Sequence, residues 1–519
     1  MDMKGLDQKL KKYYKFLLLL IFAIAVIIRW WYLPAKAVSF AYDQARDAFL
    51  VEQLLAGDLK LLGPPVSGVP GLHHGVLYYY IIAPAYFFGH GDPVVAAYYL
   101  SFISAFGVFV VYYLAYILTK RIVPGLIAAL IFAFSFEASQ YANLLTNVSL
   151  AVLFVPVLYL GIYLWLAKRS KWAPVIAGIG MGFSLQSEIA LAYHIIPVAF
   201  WLLVCRKNIK KGDFLKFLTA LVLATSSMIL AEIKFGLKGL SGLLYLFSSQ
   251  DTIASGKSLG DILLIYLNQI GKSLSFTIFP LNIAFGGLIG ISVIIYSLLQ
   301  KTKEENNNLP SWQAFLATFI LAHLVGLPFG GSNMRHIMVG ATAGISAFMG
   351  IFLWHNFKKK KIILSLLVIV ILTTNLVKIF EENKNGQTIF PLQVDLVLSK
   401  EIQAVDYTYQ KVEEKPFSIN TLTNPLYINT LWSYLYNWYG RGKYGYLPYW
   451  RGKDQIGSLG NNLKFPDQKI KTHFFIIEPV YGIPELYVTY ALGEENARSS
   501  VREEKFFGNI IVQEREIND

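Results

Sequence analysis

The 519-residue chain holds a single cysteine, Cys205, and only 15% of its residues are charged. One cysteine excludes an intramolecular disulfide and any cysteine-built metal cluster. Cys205 ends an apolar run beside Arg206 and Lys207 and reads as a buried thiol. Soluble domains carry roughly 25% charged residues, so the low charge excludes a chain of ordinary soluble domains. There is no internal repeat, no low-complexity tract, no P-loop and no Asp-x-Asp triplet of the kind that holds a metal and a sugar nucleotide. The run Gly178-Ile-Gly180-Met-Gly182 has no strand before it; it reads as close helix packing, not a dinucleotide fold. The sequon at Asn147 falls at a membrane edge and is read as incidental.

What is present is apolar: 55% of the chain is hydrophobic and 15% aromatic, which also excludes disorder. The net charge of +13 would suit a nucleic-acid binder until the cations are located. They cluster between apolar runs, at 4–15, 120–121, 168–171, 206–211, 301–303 and 358–361. Together these hold 20 Lys and Arg, more than the whole excess. That is the pattern of a multi-pass membrane protein whose basic loops stay in the cytoplasm, with no nucleic-acid partner.

If every cluster is cytoplasmic, each stretch between two of them crosses an even number of times. The first run, Phe16–Ile28, ends in the aromatic belt Trp30-Trp31-Tyr32 and is read as an uncleaved helix with a cytoplasmic N-terminus. Hairpins follow at 122–136 with 148–166, 172–185 with 189–204, 214–231 with 276–299, and 312–329 with 338–353. Residues 361–377 exit for the last time. With the return crossing that parity requires before Lys120-Arg121, the total is about eleven spans, each near the roughly 20 residues a helix needs. Residues 75–89, interrupted by Pro84, are read as a helix lying in the outer interface, so 34–92 becomes one large extracytoplasmic loop. The fold class is therefore a multi-pass α-helical membrane domain over 1–380, followed by an extracytoplasmic α/β domain over 381–519. In that domain 417–422, 473–478 and 510–513 are predicted strands, and 391–407 and 425–438 predicted helices.

Ionisable residues in or beside spans mark functional paths. On this topology Glu137, Glu188 and Glu232 fall at outer ends of spans, and His194, His323, Arg335 and His336 in the outer part. The first loop opens with Tyr42-Asp43-Gln44-Ala45-Arg46-Asp47-Ala48-Phe49. Asp43 and Asp47 are four apart and share one face of an amphipathic helix, with Arg46 beside them. A solvated ion pair is the plain alternative; the functional reading is a carboxylate that takes a proton from an acceptor hydroxyl. His73 and His74 follow in a turn-rich segment and leave a divalent metal open as a cofactor, without a recognisable ligand spacing.

The segments YDQARDAF, GPPVSGVPGLHHGVLYYYIIAPAYFFG, NLLTNVSL, GFSLQSE and AEIKFG together resemble membrane glycosyltransferases of the GT-C class. Within it the likeness is to the protein O-mannosyltransferase and aminoarabinose-transferase group, over roughly residues 10–380. The resemblance implies a polyprenyl-phosphate-linked sugar donor and a catalytic acid in the first loop, matched by Asp43. Gln44 stands where that family often has a second acid, which leaves Asp47 to substitute. His74-Gly75-Val76-Leu77 resembles the family's HPPL-like segment without its prolines.

The expected function is sugar transfer from a polyprenyl-phosphate donor to a protein, glycan or lipid acceptor at the outer face of a cell membrane. Asp43 would be the base, and the reaction would invert the anomeric centre. Candidate substrate-binding residues are Arg46, His73, His74, Glu188, Glu232, Lys234, Arg335 and His336, with Arg335 and Lys234 at the outer surface meeting the leaving phosphate. The rival is a transporter or flippase, whose sites lie near the midplane between related halves. A membrane-anchored sensor would explain the C-terminal domain but not eleven spans.

Overall fold

The computed structural model describes residues 3–66, 69–248, 258–300, 309–329, 335–390, 396–453, 455, 459 and 462–518. The basic cluster 301–303 and the first residues of the predicted helix 391–407 lie outside the described residues.

The N-terminal part is a helical bundle. It begins with α1 (Met3–Trp30), continues through α2 (Tyr42–Leu55) and α3 (Leu77–Phe88) of the first loop, and returns through α4 (Pro93–Ala105) and α5 (Gly107–Thr119). Next come α6 (Ile122–Phe134), α7 (Phe136–Ala142), α8 (Ala151–Leu166), α9 (Ala173–Ser187), α10 (Ile195–Val204), α11 (Lys211–Ala224), α12 (Ser226–Lys234) and α13 (Lys238–Ser248). The bundle closes with α14 (Leu259–Ile278), α15 (Ile283–Leu299), α16 (Trp312–Ile320), α17 (Ala341–Phe357) and α18 (Lys361–Glu382).

Among the described residues, four stretches are helices long and apolar enough to cross a membrane alone: Leu10–Ala35, Pro93–Thr119, Asn147–Leu166 and Lys361–Asn385. Three further pairs qualify together but bend sharply: α6 with α7 by 58°, α11 with α12 by 57°, and α14 with α15 by 94°. Residues 122–136, 214–231 and 276–299, each expected as one span, are thus broken by these bends, and 259–275, where the sequence predicts no helix, belongs to α14. Lys272, Gln269 and Asp261 break the apolar run of α14, yet one side of it is buried through Ile262, Ile270 and Leu274. Residues 77–88 are helical as expected, with Tyr78, Tyr79, Ile82 and Tyr86 buried.

The glycine run of α9 does what close packing requires. A Cβ on Gly180 would come within 2.5 Å of the Leu158 backbone nitrogen, and one on Gly178 within 2.5 Å of the Phe217 carbonyl. These contacts draw α8 and α11 onto α9.

The C-terminal part carries α19 (Leu398–Val412), β1 (Ser418–Leu422), α20 (Thr430–Leu435), a π-helical turn over Tyr436–Gly440, α21 (Arg441–Tyr444), β2 (Tyr449–Trp450), β3 (Thr472–Ile477), α22 (Glu485–Asn496), β4 (Ser499–Phe507) and β5 (Ile510–Ile517). The sheet order is β2-β1-β3-β5-β4, with β1 parallel to β2 and β3, and β5 antiparallel to β3 and β4. Strands β1, β3 and β5 match the sequence reading; β4 and α22 were not foreseen.

One hydrophobic core joins this sheet to the first loop. Leu33, Phe40, Phe49, Tyr79 and Leu100 pack in the same cluster as Leu398, Trp432, Tyr434 and Phe474. The backbone at Ser39 bridges to Val397, and Leu398 donates to the Val38 carbonyl at 2.9 Å. Tyr434 stacks its edge on Phe49 and donates to the Gly91 carbonyl at 2.6 Å. Helix α20 of the C-terminal part thus packs directly on α2.

Candidate active site

Helix α2 starts where Gln44 Oε1 accepts the Ala41 amide at 2.9 Å, and it buries Ala45, Ala48, Phe49 and Val51 against that core. Asp43 occupies the first turn, where the helix dipole favours a carboxylate. Arg46 reaches both acids. Its Nη1 donates to Asp43 Oδ1 at 2.6 Å, while Nε and Nη2 donate to Asp47 Oδ1 at 2.9 and 2.8 Å. Tyr79 from α3 adds a 3.0 Å hydrogen bond to the same Asp47 oxygen.

The two acids differ in access. The Asp43 side chain is 48% exposed and that of Asp47 only 3%. Burial pushes the Asp47 carboxyl up to about 6, against the pull of Arg46. Asp47 Oδ2 has no hydrogen-bond partner among the described residues. Both acids hold Arg46, but only Asp43 is open at the surface.

The two histidines of the loop diverge. The segment around them is a tight return: the Val66 amide donates to the Leu72 carbonyl, His74 to Pro64, and Gly75 to the Gln186 carbonyl on α9. Gly75 is obligatory, since a Cβ there would come within 2.4 Å of Gln186 Oε1. In extended chain successive side chains point to opposite sides. His74 turns inward, with Nδ1 accepting the Ile189 amide at 3.3 Å and lying 3.8 Å from Glu188 Oε1. Burial first, then the charges of His336 and Arg46, hold His74 down to about 3, so it is neutral at pH 7. The other Glu188 oxygen lies 3.8 Å from His336 Nε2. His74, Glu188 and His336 therefore form one array, each gap too long for a hydrogen bond.

His73 turns outward and lines an open cleft of about 320 Å³. Its walls include Leu50, Leu59, Leu61 and Phe235, and its cations are Lys60 and Lys234. Leu50 lies seven residues after Asp43 on α2, roughly 10 Å along the axis. Lys60, which the sequence reading did not single out, is steered by Gln53 Oε1 at 2.6 Å and Asp58 Oδ2 at 2.5 Å. Glu232 sits nearby, its Oε2 accepting the Leu240 amide at 3.1 Å, and so shapes the turn after α12.

Arg335 was expected at the outer surface. It is instead buried, its guanidinium paired with Glu137 and bonded to Gln269 Oε1 at 2.8 Å and Ser273 Oγ at 3.0 Å. The bend between α6 and α7 carries Glu137 inward to meet it. His194 is likewise buried, bonded to the Tyr159 hydroxyl at 2.8 Å. Among the described residues no group of three or more His, Cys, Asp or Glu could hold a metal ion. Tyr79 is the polar contact the sequence hid, being one of three consecutive tyrosines.

No protein-family model matches the chain, and no curated protein matches it. Solved structures do, and they place it in the GT-C-like membrane fold. The crystal structure of ArnT from Cupriavidus metallidurans bound to undecaprenyl phosphate superposes with a TM-score of 0.56 at 10% identity, over 96% of this chain and 97% of that one. The apo state of the same protein gives 0.55 at 12% identity, with the same coverage. The archaeal oligosaccharyltransferase AglB from Archaeoglobus fulgidus, in complex with an inhibitory peptide and a dolichol-phosphate, gives 0.49 at 15% identity, over 85% of this chain and 64% of that one. At these identities the likeness is one of fold.

Proposed function

We propose that the chain is a membrane glycosyltransferase that moves a sugar from a polyprenyl-phosphate carrier to an acceptor hydroxyl. The observation that carries this reading is the half-open Asp43 carboxylate, fixed by Arg46 at the start of α2. The fold shared with a protein that binds undecaprenyl phosphate supports the choice of carrier.

The acceptor oxygen attacks the anomeric carbon and its proton passes to Asp43. The bond from that carbon to the carrier phosphate breaks, leaving polyprenyl phosphate. A single displacement inverts the anomeric centre. Asp43 meets the need for a positioned base, worth typically 10²–10⁴-fold. Asp47 remains the buried counter-charge that sets Arg46. Lys60 and Lys234 around the apolar cleft supply cations for the carrier phosphate, with His73 beside them, while the neighbouring leucines and Phe235 suit its isoprenoid chain. Arg335 leaves that role, because Glu137 already neutralises it. His336, part-exposed and 3.8 Å from Glu188, is a further candidate group for the donor. The reaction belongs at the outer face of a cell membrane, with the N-terminus cytoplasmic and the C-terminal domain outside; the basic clusters support this orientation.

Transfer of labelled sugar from a defined polyprenyl-phosphate donor in proteoliposomes tests the proposal. Turnover with inversion is the expected result. Movement of intact donor across the bilayer without transfer would make the chain a flippase instead.

A further inference from the structure

The Arg335–Met338 turn is gripped more tightly than a surface turn needs. Tyr141 donates its hydroxyl to the Arg335 carbonyl at 2.8 Å, and Tyr193 donates to the Ile337 carbonyl at 2.7 Å. The Arg335 side chain runs inward over the Phe276 ring to Glu137, with Gln269 and Ser273 of α14 completing its shell. Glu137 is satisfied in turn by Ser273 at 3.1 Å and by Thr342 of α17 at 2.8 Å. Elements α7, α14, α17 and the turn at 189–194 thus converge on the Glu137–Arg335 pair and the Ile337 carbonyl. Between the two gripped residues lies His336, its side chain 31% exposed and 3.8 Å from Glu188.

We propose that the Glu137–Arg335 ion pair is the positioning device for His336, holding its imidazole over Glu188 at the donor side of the site. Arg335 and Glu137 are positioning residues: they touch no substrate and act through His336. This rests on the reading of His336 as a donor-side group. A buried ion pair is seldom a net source of stability, which fits a role in fixing geometry better than one in holding the bundle together. Misplacing a binding group by about 1 Å can cost up to about 10²-fold in rate, so a rigid anchor has a kinetic use.

Two readouts test it on the full-length protein in detergent. The first needs no transferase activity: the rate of histidine modification by diethyl pyrocarbonate, resolved residue by residue by mass spectrometry. Glu137→Gln should raise the His336 rate at least about threefold while His73, outside the clamp, stays unchanged. Tyr193→Phe, which removes one hydroxyl and keeps the ring, should do the same to a lesser degree if Glu137→Gln does not fold. An unchanged His336 rate in the folded variant overturns the proposal. The second readout is kinetic: Tyr193→Phe should raise the donor KM about tenfold with a smaller change in kcat, and add nothing on a His336→Ala background. Full additivity overturns the coupling. If the labelling shifts but the wild-type chain transfers no sugar, the clamp stands and the transferase reading falls.

Discussion

Two charged networks in this molecule use similar residues to opposite ends. In the C-terminal sheet, His473 Nδ1 lies 3.0 Å from Ser418 Oγ and its Nε2 lies 3.0 Å from Glu495 Oε1, an order of partners that looks catalytic. Every member is buried, and Glu495 also accepts from Ser499 and Asn420, each at 2.6 Å. Burial would raise the Glu495 carboxyl, but hydrogen bonds and charge from His473, with Ser499 and Asn420, hold it down to about 2. At Asp43, Arg46 and Asp47 the network is incomplete: one acid is half open and the other has a bare oxygen. A closed, saturated network fixes structure, whereas an open, unsaturated one leaves valences for a substrate. The constellation of residue types alone does not separate them; access and satisfaction do.

Removing Arg46 breaks that contrast most severely. Arg46→Met leaves Asp47 buried without its cation and should cost about 3–5 kcal/mol of stability, together with most of the activity, as read by thermal unfolding and turnover. Glu495→Gln sharpens the contrast from the other side: stability should fall while turnover per folded molecule is kept. Its carboxyl is depressed from an ordinary value of 4.5, so the stability it contributes is present above about pH 4.5 and lost as pH falls towards about 2. The variant's deficit should therefore be full at pH 7 and shrink over that window.

Lys60→Ala and Lys234→Ala should each raise the donor KM several-fold, with the difference narrowing in high salt, more for the exposed Lys234 than for the more covered Lys60. Glu52→Gln is the mildest change. Burial pushes Glu52 up to about 7 from 4.5, so the folded chain keeps a proton that the unfolded chain has released. That term lowers stability as pH rises across the interval, and the variant should gain in melting temperature at pH 8 but not at pH 4.

Much of this could be read from the chain itself. Basic clusters and apolar runs gave the bundle, the four-residue spacing of Asp43 and Asp47 gave their shared face, and Gly178, Gly180 and Gly182 gave close packing. Three things were hidden for physical reasons. Helix α14 carries Asp261, Gln269 and Lys272 within its apolar run, and its 94° bend into α15 hides the pair behind a single expected span. Strand β4, with Arg502, Glu503, Glu504 and Lys505, is an exposed sheet edge and has no apolar alternation. Arg335 reads as a surface cation because its partner, Glu137, is nearly 200 residues away. Spacing alone likewise could not rank Asp43 above Asp47, since both lie on the same helix face and differ in how Tyr79 and the core cover them; only the family resemblance pointed to Asp43.

The most direct test is turnover per folded molecule for Asp43→Asn beside Asp47→Asn, with a polyprenyl-phosphate sugar donor in proteoliposomes. The account predicts a loss of at least about 10²-fold for Asp43→Asn with unchanged thermal unfolding, and a smaller kinetic loss for Asp47→Asn accompanied by a lower melting temperature. Near-wild-type turnover in Asp43→Asn would contradict it.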